Sequence, residues 1–256
     1  MSMSAVRVRV AGQYACFTRP ETKVERFTYP VMTPSAARNV LDSICWRPQM
    51  RWVVTAVTVL KPIRTFSVLR NEVQSKLAPA AVKRWMRDPA SFEPLVAGAG
   101  QGTDATPRNT TLLSDVAYWI DAYPLIFDPG KDGTNTPIKY VEMFRRRVEK
   151  GKCFQRPYLG CREFAADFSP PLPGDQPLLE SRPVGRMLYD VAFFAEGNRP
   201  VFFDAQLVDG VLDTDPARVL HDPAQRNALL RCSHAGPAGA TARICCEEVA
   251  PCSSRC

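Results

Sequence analysis

Apolar and polar positions change period several times along this chain, and each change marks an element. AVRVRVAG (residues 5–12) alternates, so a strand with its valines on one face is expected. QYACFTRPETKVERFTYPV (13–31) reads as an extended or looped section carrying cations among aromatics. Thr33-Pro34 then opens a helix whose Ala37, Val40, Leu41 and Ile44 share a face, and Pro48 ends it near Cys45-Trp46. MRWVVTAVTVLKP (50–62) is β-branched and alternating, hence a second strand, and TLLSDVAYWIDAYPLIF (111–127) resumes a strand pattern. In TPIKYVEMFRRRVEKGK, Thr136 and Pro137 supply a helix cap and first position. Ile138, Val141, Phe144 and Val148 make one inward stripe, and Gly151 stops the helix. PYLGCREFAADFS (157–169) is a further strand.

Between these elements, residues 61–110 read as a long insertion with a short helix around PAAVKRWM and a soft stretch, AGAGQGTDATPRNT. That stretch has glycines but no preceding strand and no helix directly after it, so it is a flexible loop and not a phosphate-binding turn. The order strand, helix, strand, strand, helix, strand defines an α+β, ferredoxin-like (RRM-like) βαββαβ domain over 1–168. After the proline-rich SPPLPGDQP, GRMLYDVAFF and RPVFFDAQLVDGVL predict a small antiparallel β domain over 169–213, with turns at EGN and DG. From 214 to 256 periodicity fails and composition turns to Ala, Gly, Pro, Ser and Cys, so a disordered tail is expected.

Charge sharpens this picture. The formal net charge is +7 and the isoelectric point near 9.0, which favours an anionic partner such as nucleic acid. Lys139, Arg145, Arg146, Arg147, Lys150 and Lys152 crowd one helix against Glu142 and Glu149, with Glu142 and Arg146 at pairing distance. Arg145 and Arg146 are candidate phosphate contacts, since consecutive helix positions diverge by about 100° and the three arginines cannot all face one way. No apolar stretch approaches the roughly 20 residues of a membrane span, and MSMSAVRVRV has no signal-peptide pattern, so a cytoplasmic location is expected. Of nine cysteines, Cys16, Cys45, Cys153 and Cys161 sit in periodic segments as free thiols. Cys232, Cys245, Cys246, Cys252 and Cys256 crowd the end without a CxxC pair, so neither a metal site nor a disulfide framework is expected.

GQYACFTRPETKVERFTYPVMTPSAARNVLDSICWRP, LKPIRTFSVLRNEV and KCFQRPYLGCREF, with GRMLYDVAFF and FFDAQLVDGVL later, resemble the type I-C (Dvulg-subtype) member of the CRISPR-associated Cas-five family, within the RAMP superfamily. The resemblance covers roughly residues 5–212. It implies binding of CRISPR repeat RNA, cutting of the precursor transcript into guides, and retention on the guide's 5′ handle among the other subunits of a surveillance complex. Non-specific DNA binding is a further possibility for so basic a groove.

Metal-independent RNA cleavage uses the 2′-hydroxyl as nucleophile. It needs a base, cationic stabilisation of the crowded phosphorane and a proton for the leaving 5′-oxygen. In the family these tasks are linked to a tyrosine in an I-Y-W-K/R-P block and a Lys-His pair opening the second helix. Here the blocks read Ile44-Cys45-Trp46-Arg47-Pro48 and Lys139-Tyr140, so cysteine and tyrosine replace the family's tyrosine and histidine. The candidate catalytic residues are Lys139, Tyr140 and Cys45. Arg and Lys neighbours are expected to depress the Tyr140 pKa. Trp46 reads as core. Candidate RNA contacts are Arg19, Lys23, Arg26, Arg47, Arg64, Arg70, Arg145 and Arg146. The alternative is a non-catalytic RNA-binding subunit in which the replacements at Cys45 and Tyr140 have removed cleavage. A third reading, a metal-dependent DNA nuclease, lacks an acidic cluster of Mg²⁺ spacing.

Overall fold

The computed structural model describes residues 6–22, 24–73, 75–93, 104–130, 132–194 and 197–230. Strand β1 (Val6–Ala15) buries Val6, Val8 and Val10, as the alternation predicts. Its other face carries Arg7 and Arg9, paired to Asp121 at 2.7 Å and to Asp175 at 3.0 Å. After the two-residue β2 (Arg26–Phe27), helix α1 (Pro34–Ile44) begins where Thr33 Oγ1 accepts the Ala36 N–H at 3.3 Å. Ala37, Val40, Leu41 and Ile44 are buried together. Strand β3 (Met50–Val59) follows.

The expected insertion is built differently from its sequence reading. Residues 64–73 form β4 (Arg64–Val73), α2 (Pro79–Arg87) follows, and β5 (Ala105–Ile126) starts within the stretch read as a loop. Strand β4 pairs with the first half of β5, from Arg64↔Ser114 to Val73↔Ala105, and makes a long two-stranded arm. Helix α2 falls on the PAAVKRWM segment read as a short helix, whereas β4, with no buried residue, lacked the hydrophobic contrast that marks a core strand. Pairing, not burial, makes β4 a strand.

Helix α3 (Pro137–Glu149), β6 (Asp167–Ser169), β7 (Arg182–Phe194), β8 (Gly197–Val208) and β9 (Val211–Asp213) complete one mixed α+β architecture. The strands run in the order β6-β1-β5-β3-β9-β8-β7, with β2 and β4 also on β5. Most pairings are antiparallel; β2 on β5 is parallel. Helix α1 packs on β3, α3 on β5 and β1, and the two helices touch.

The boundary expected after residue 168 falls inside β6, and the two parts share one sheet and one core. Strand β9 covers the β3 edge that would otherwise stand open (Ala56↔Asp213, Val57↔Leu212). The Asp209-Gly210 turn, with φ of 48° and 75°, is the tight hairpin turn its sequence implies. A side chain at Gly210 would collide with the Leu178 carbonyl. Asp190 on β7 welds the halves further. It accepts from Arg38 of α1 at 2.8 and 3.1 Å and from Arg51 of β3 at 2.9 Å. Burial alone would push the Asp190 carboxyl up, but Arg38 and Arg51 outweigh it and hold it below the usual carboxylate range.

The tail reading is corrected for residues 214–230. Thr214 is fully buried, and its hydroxyl donates to the Val54 carbonyl at 3.2 Å. Two short helices follow, α4 (Pro216–Val219) and α5 (Pro223–Leu230). Each starts at an Asp-Pro step; Asp215 Oδ1 accepts Ala217 N–H at 3.0 Å and Asp222 Oδ1 accepts Ala224 N–H at 2.8 Å. These helices are too short to build a readable apolar period, although the two caps were visible. Residues 231–256, with His234 and the five clustered cysteines, lie outside the described residues. No helix among the described residues is long and apolar enough to cross a membrane.

Helix α5 packs on β7 with Ala228 and Leu229 buried. Leu229 shares a cavity of about 20 Å³ with Arg38, Arg51 and Asp190, so the helix seals the ionic cluster. Ending the chain after Leu220 should therefore cost about 2–3 kcal/mol in lost burial. Thermal unfolding should shift down by roughly 5–10 °C at this chain length. An unchanged melting temperature would show that α5 contributes nothing to the core.

Candidate functional site

Helix α1 ends in the interior, and its last carbonyls have no intrahelical partners. Those of Ser43, Ile44 and the cap residue Cys45 find partners elsewhere. Ser43 O accepts the N–H groups of Phe154 at 2.8 Å and Gln155 at 3.2 Å. Ile44 O accepts Arg147 Nη1 at 2.6 Å, and Cys45 O accepts the Trp52 indole N–H at 2.8 Å. The Trp52 ring meets Phe144 of α3 edge-on, with centroids 4.9 Å apart. These contacts bring α3, the 153–155 segment and β3 to one spot, and the candidate catalytic residues collect around it.

Helix α3 starts at Thr136, whose Oγ1 accepts the Lys139 N–H at 3.3 Å. Its buried face is Tyr140, Val141, Phe144 and Val148. Ile138, expected on that face, is 74% exposed, and Tyr140 takes the inward place one helical turn before Phe144. The Tyr140 hydroxyl donates to Asn135 Oδ1 at 2.9 Å, and Lys139 Nζ donates to the same oxygen at 3.1 Å. Asn135 is held by its own amide, which donates to the Asp128 carbonyl at 3.0 Å. Sequence reasoning missed Asn135; its position just ahead of the Thr136 cap was the available signal.

Burial pushes the Tyr140 phenol above its ordinary value; Arg47 opposes the rise, while Asp128 and Cys45 add to it. This reverses the expected depression, because desolvation outweighs the nearby cation. The phenol therefore keeps its proton at neutral pH and is suited to donate it. Cys45 stands at the α1 end with no solvent exposure, and burial lifts its thiol despite Arg147 and Arg47. A neutral, enclosed thiol is neither nucleophile nor base. Cys45 packs where a chemical role was expected. Trp46, read as core, is exposed at the rim, and Trp52 fills the core instead.

The candidate RNA contacts divide between two places. Near the α1 end, Arg47 is half-buried with Nη1 on the Trp46 carbonyl at 2.9 Å. Glu142 pairs with Arg145 at 3.1 Å and not with Arg146, which is exposed and free of an ion pair among the described residues. Arg147, the third member of the run, is the inward-turned group on Ile44 O. Far along β5, Arg26 lies 3.3 Å and Arg70 3.2 Å from Glu72, and both also reach Glu163. Arg64 is exposed on β4. Arg19 covers the Tyr29 ring at 4.7 Å. Lys23 lies outside the described residues. Arg70 pairs with Arg108 while Met50 pairs with Ile126, so about 60 Å of strand contour separates the two groups. The candidate contacts thus fall in two basic regions at opposite ends of β5. Among the described residues no three His, Cys, Asp or Glu side chains gather as metal ligands.

A sheet with arginine-rich regions at both ends of its long β5, in a chain of net charge +7, has the outline of a nucleic-acid-binding protein. The sequence profile of the family described as CRISPR-associated protein (Cas_Cas5) matches residues 5–222. The "CRISPR pre-crRNA endoribonuclease Cas5d" of Mannheimia succiniciproducens is 44% identical over 219 residues, covering 82% of this chain and 95% of that protein. Its namesake from Thermus thermophilus is 41% identical over 202 residues, covering 77% and 78%. A crystal structure titled "CRISPR-associated Protein" superposes with a TM-score of 0.55 at 22% identity, covering 81% of this chain and 89% of that one, and shares the fold. The chain belongs to the CRISPR-associated Cas5 family.

The α1 end makes a direct prediction. Trp52→Phe keeps a ring but leaves Cys45 O buried without a donor, and Arg147→Met does the same to Ile44 O. Each should destabilise by about 1–3 kcal/mol. Arg146→Met, one residue away, should stay within about 0.5 kcal/mol of the parent. Denaturant unfolding of the three variants measures this; equal stabilities would refute the carbonyl-capping role.

Proposed function

We propose that this protein binds the repeat of CRISPR precursor RNA and cuts it as a metal-independent endoribonuclease, then stays on the 5′ handle of the guide with the other subunits of a type I-C surveillance complex. The family membership and the names of the two relatives support the activity. The observation that carries the mechanism is the convergence of Lys139 Nζ and Tyr140 Oη on one acceptor oxygen, Asn135 Oδ1. A phosphate oxygen and a leaving oxygen brought there meet an ammonium and a phenol together. The strand order β6-β1-β5-β3, with α1 and α3 in contact, supports reading the first part as a ferredoxin-like core. A cytoplasmic site of action fits a transcript-processing role.

In this mechanism the RNA 2′-oxygen attacks the adjacent phosphorus as its proton passes to solvent base. The P–O5′ bond breaks, leaving a 2′,3′-cyclic phosphate and a 5′-hydroxyl. Lys139 neutralises charge on the phosphorane, and Tyr140 gives its proton to the leaving 5′-oxygen and recovers one from water. A cation at a helix start is opposed by the helix dipole, so Lys139 needs a compensating role, and charge stabilisation supplies one. Much of the remaining rate comes from holding the 2′-oxygen in line. The enclosed Cys45 thiol favours the second reading, an RNA-binding subunit without cleavage.

Incubation with the cognate repeat RNA in EDTA separates the two. Cleavage should occur, and Lys139→Ala should slow it on the order of 10²-fold while binding falls much less. Tyr140→Phe should slow it comparably, and RNA with a 2′-deoxy nucleotide at the cut site should resist. Binding without cutting leaves the non-catalytic reading; equal cutting of the deoxy substrate removes the 2′-hydroxyl mechanism.

The direction of the Tyr140 shift sets the pH dependence. The protonated donor persists below its folded-state pKa, which lies above the ordinary phenol value of about 10. Once corrected for protein-free hydrolysis, cleavage should show no alkaline fall between pH 7 and 9. An alkaline fall inside that window would exclude Tyr140 as the proton donor.

A further inference from the structure

Where the β4–β5 arm leaves the body of the sheet, three aromatic side chains from three elements gather in the open. Tyr14 of β1 lies 5.3 Å from Phe66 of β4 and 6.3 Å from Phe164 of the 159–166 turn, centroid to centroid. Tyr14 remains 37% exposed, and Phe66 and Phe164 are only partly covered. Together with Val68 and Leu112 they line an open cavity of about 320 Å³. That is the small end of the range for ligand sites, fitting a planar group better than a helix or strand of a partner.

Beside this cavity, arginines outnumber the carboxylates they pair with. Arg70 and Glu163 form an ion pair on its edge; Arg26 reaches both Glu163 and Glu72, and Arg108 reaches Glu72. Three guanidiniums with about five N–H donors each exceed what two carboxylates accept, and one positive charge is left over. Ionised carboxylates hold the guanidiniums in place beside the rings: against burial, its own backbone N–H together with Arg70 and Arg26 keeps the Glu163 carboxyl below its ordinary value.

We infer that this cavity receives an unpaired nucleobase of the bound RNA, stacked on Phe66 and Tyr14 with its phosphate beside Arg70. The inference rests on the RNA-binding part of the proposed function and assigns it a second contact, remote from Lys139 and Tyr140. Phe66 pairs with Leu112 on β5 and Met50 with Ile126, so about 45 Å of strand contour separates the two sites. Single-stranded nucleic acid is held in this way elsewhere, by base–aromatic stacking beside a basic track.

The test uses the full chain and its cognate repeat RNA, made uncleavable by a 2′-deoxy nucleotide at the cut site. 2-Aminopurine is placed in turn at each single-stranded position. One position or two adjacent ones should lose fluorescence on binding. Phe66→Leu, which keeps apolar volume, should abolish that loss and weaken affinity about tenfold with an unchanged salt slope, because no phosphate contact is removed. Phe66→Trp should restore both. Lys139→Ala should leave the fluorescence loss intact. RNA binding with no quenched position, or quenching that survives both Phe66→Leu and Tyr14→Leu, overturns the cavity assignment and leaves the proposed function standing. Failure of the parent protein to bind the RNA overturns both.

Discussion

The unpaired carbonyls at the end of α1 are the constraint around which the site is built. A helix that ends at the surface can leave its last carbonyls to water; one that ends in the core cannot. Here Ser43, Ile44 and Cys45 each require a donor from a different part of the chain. Meeting that requirement places α3 across the α1 end, with Phe144 on Trp52 and Tyr140 near Arg47 and Cys45. Arg147 is spent on this task, so only part of the arginine run is left to face a ligand. The same geometry explains why a cysteine is tolerated at position 45: the backbone carbonyl does the structural work, and the thiol needs only to fill space.

A second constraint ties the two parts of the sheet. Asp190, buried between Arg38 and Arg51, links α1, β3 and β7, and Asp42 joins through Arg38 at 2.8 Å. Losing one partner of such a buried cluster typically costs about 3–5 kcal/mol, because the charge left behind has no water to solvate it. Burial is strong enough at Asp42 to lift its carboxyl above the usual range even beside Arg38. Together with β9 on the β3 edge, the cluster joins β7–β9 to the earlier strands in one body. The α1 end is therefore braced from both sides.

Function follows from what these constraints leave exposed. Near the α1 end they leave Lys139 and Arg146 exposed, beside a buried Tyr140 whose hydroxyl is bonded to Asn135. At the base of the β4–β5 arm they leave three arginines and three partly exposed aromatic rings. A long single strand suits this distribution better than a compact ligand, since phosphate contacts set its position and stacking adds to its hold. The arm itself, with β4 paired only to β5 and α2 burying nothing, is an extension whose worth lies outside the stability of the body.

Local pattern was enough to determine most of the elements. The valine alternation of β1, the Thr33-Pro34 and Thr136-Pro137 helix starts, the Val-rich β3 and the Asp209-Gly210 turn are all decided within a few residues by sterics, capping and burial period. So was the basic character, and the Lys139-Tyr140 pair was legible from its likeness to a family motif. Tertiary structure decided what depends on partners distant in sequence. Strand β4 exists because β5 pairs with it, and α5 is ordered because β7 and the Asp190 cluster lie beneath it. Tyr140 turns inward in place of Ile138 because α3 must cross the end of α1. Its phenol is held protonated because burial outweighs a neighbouring cation. Arg26 and Arg70 fall far from Lys139 because β5 is long, and no local pattern carries that distance. Propensity and period act over a turn or a hairpin, whereas desolvation, pairing and the satisfaction of buried carbonyls are settled only once distant segments meet.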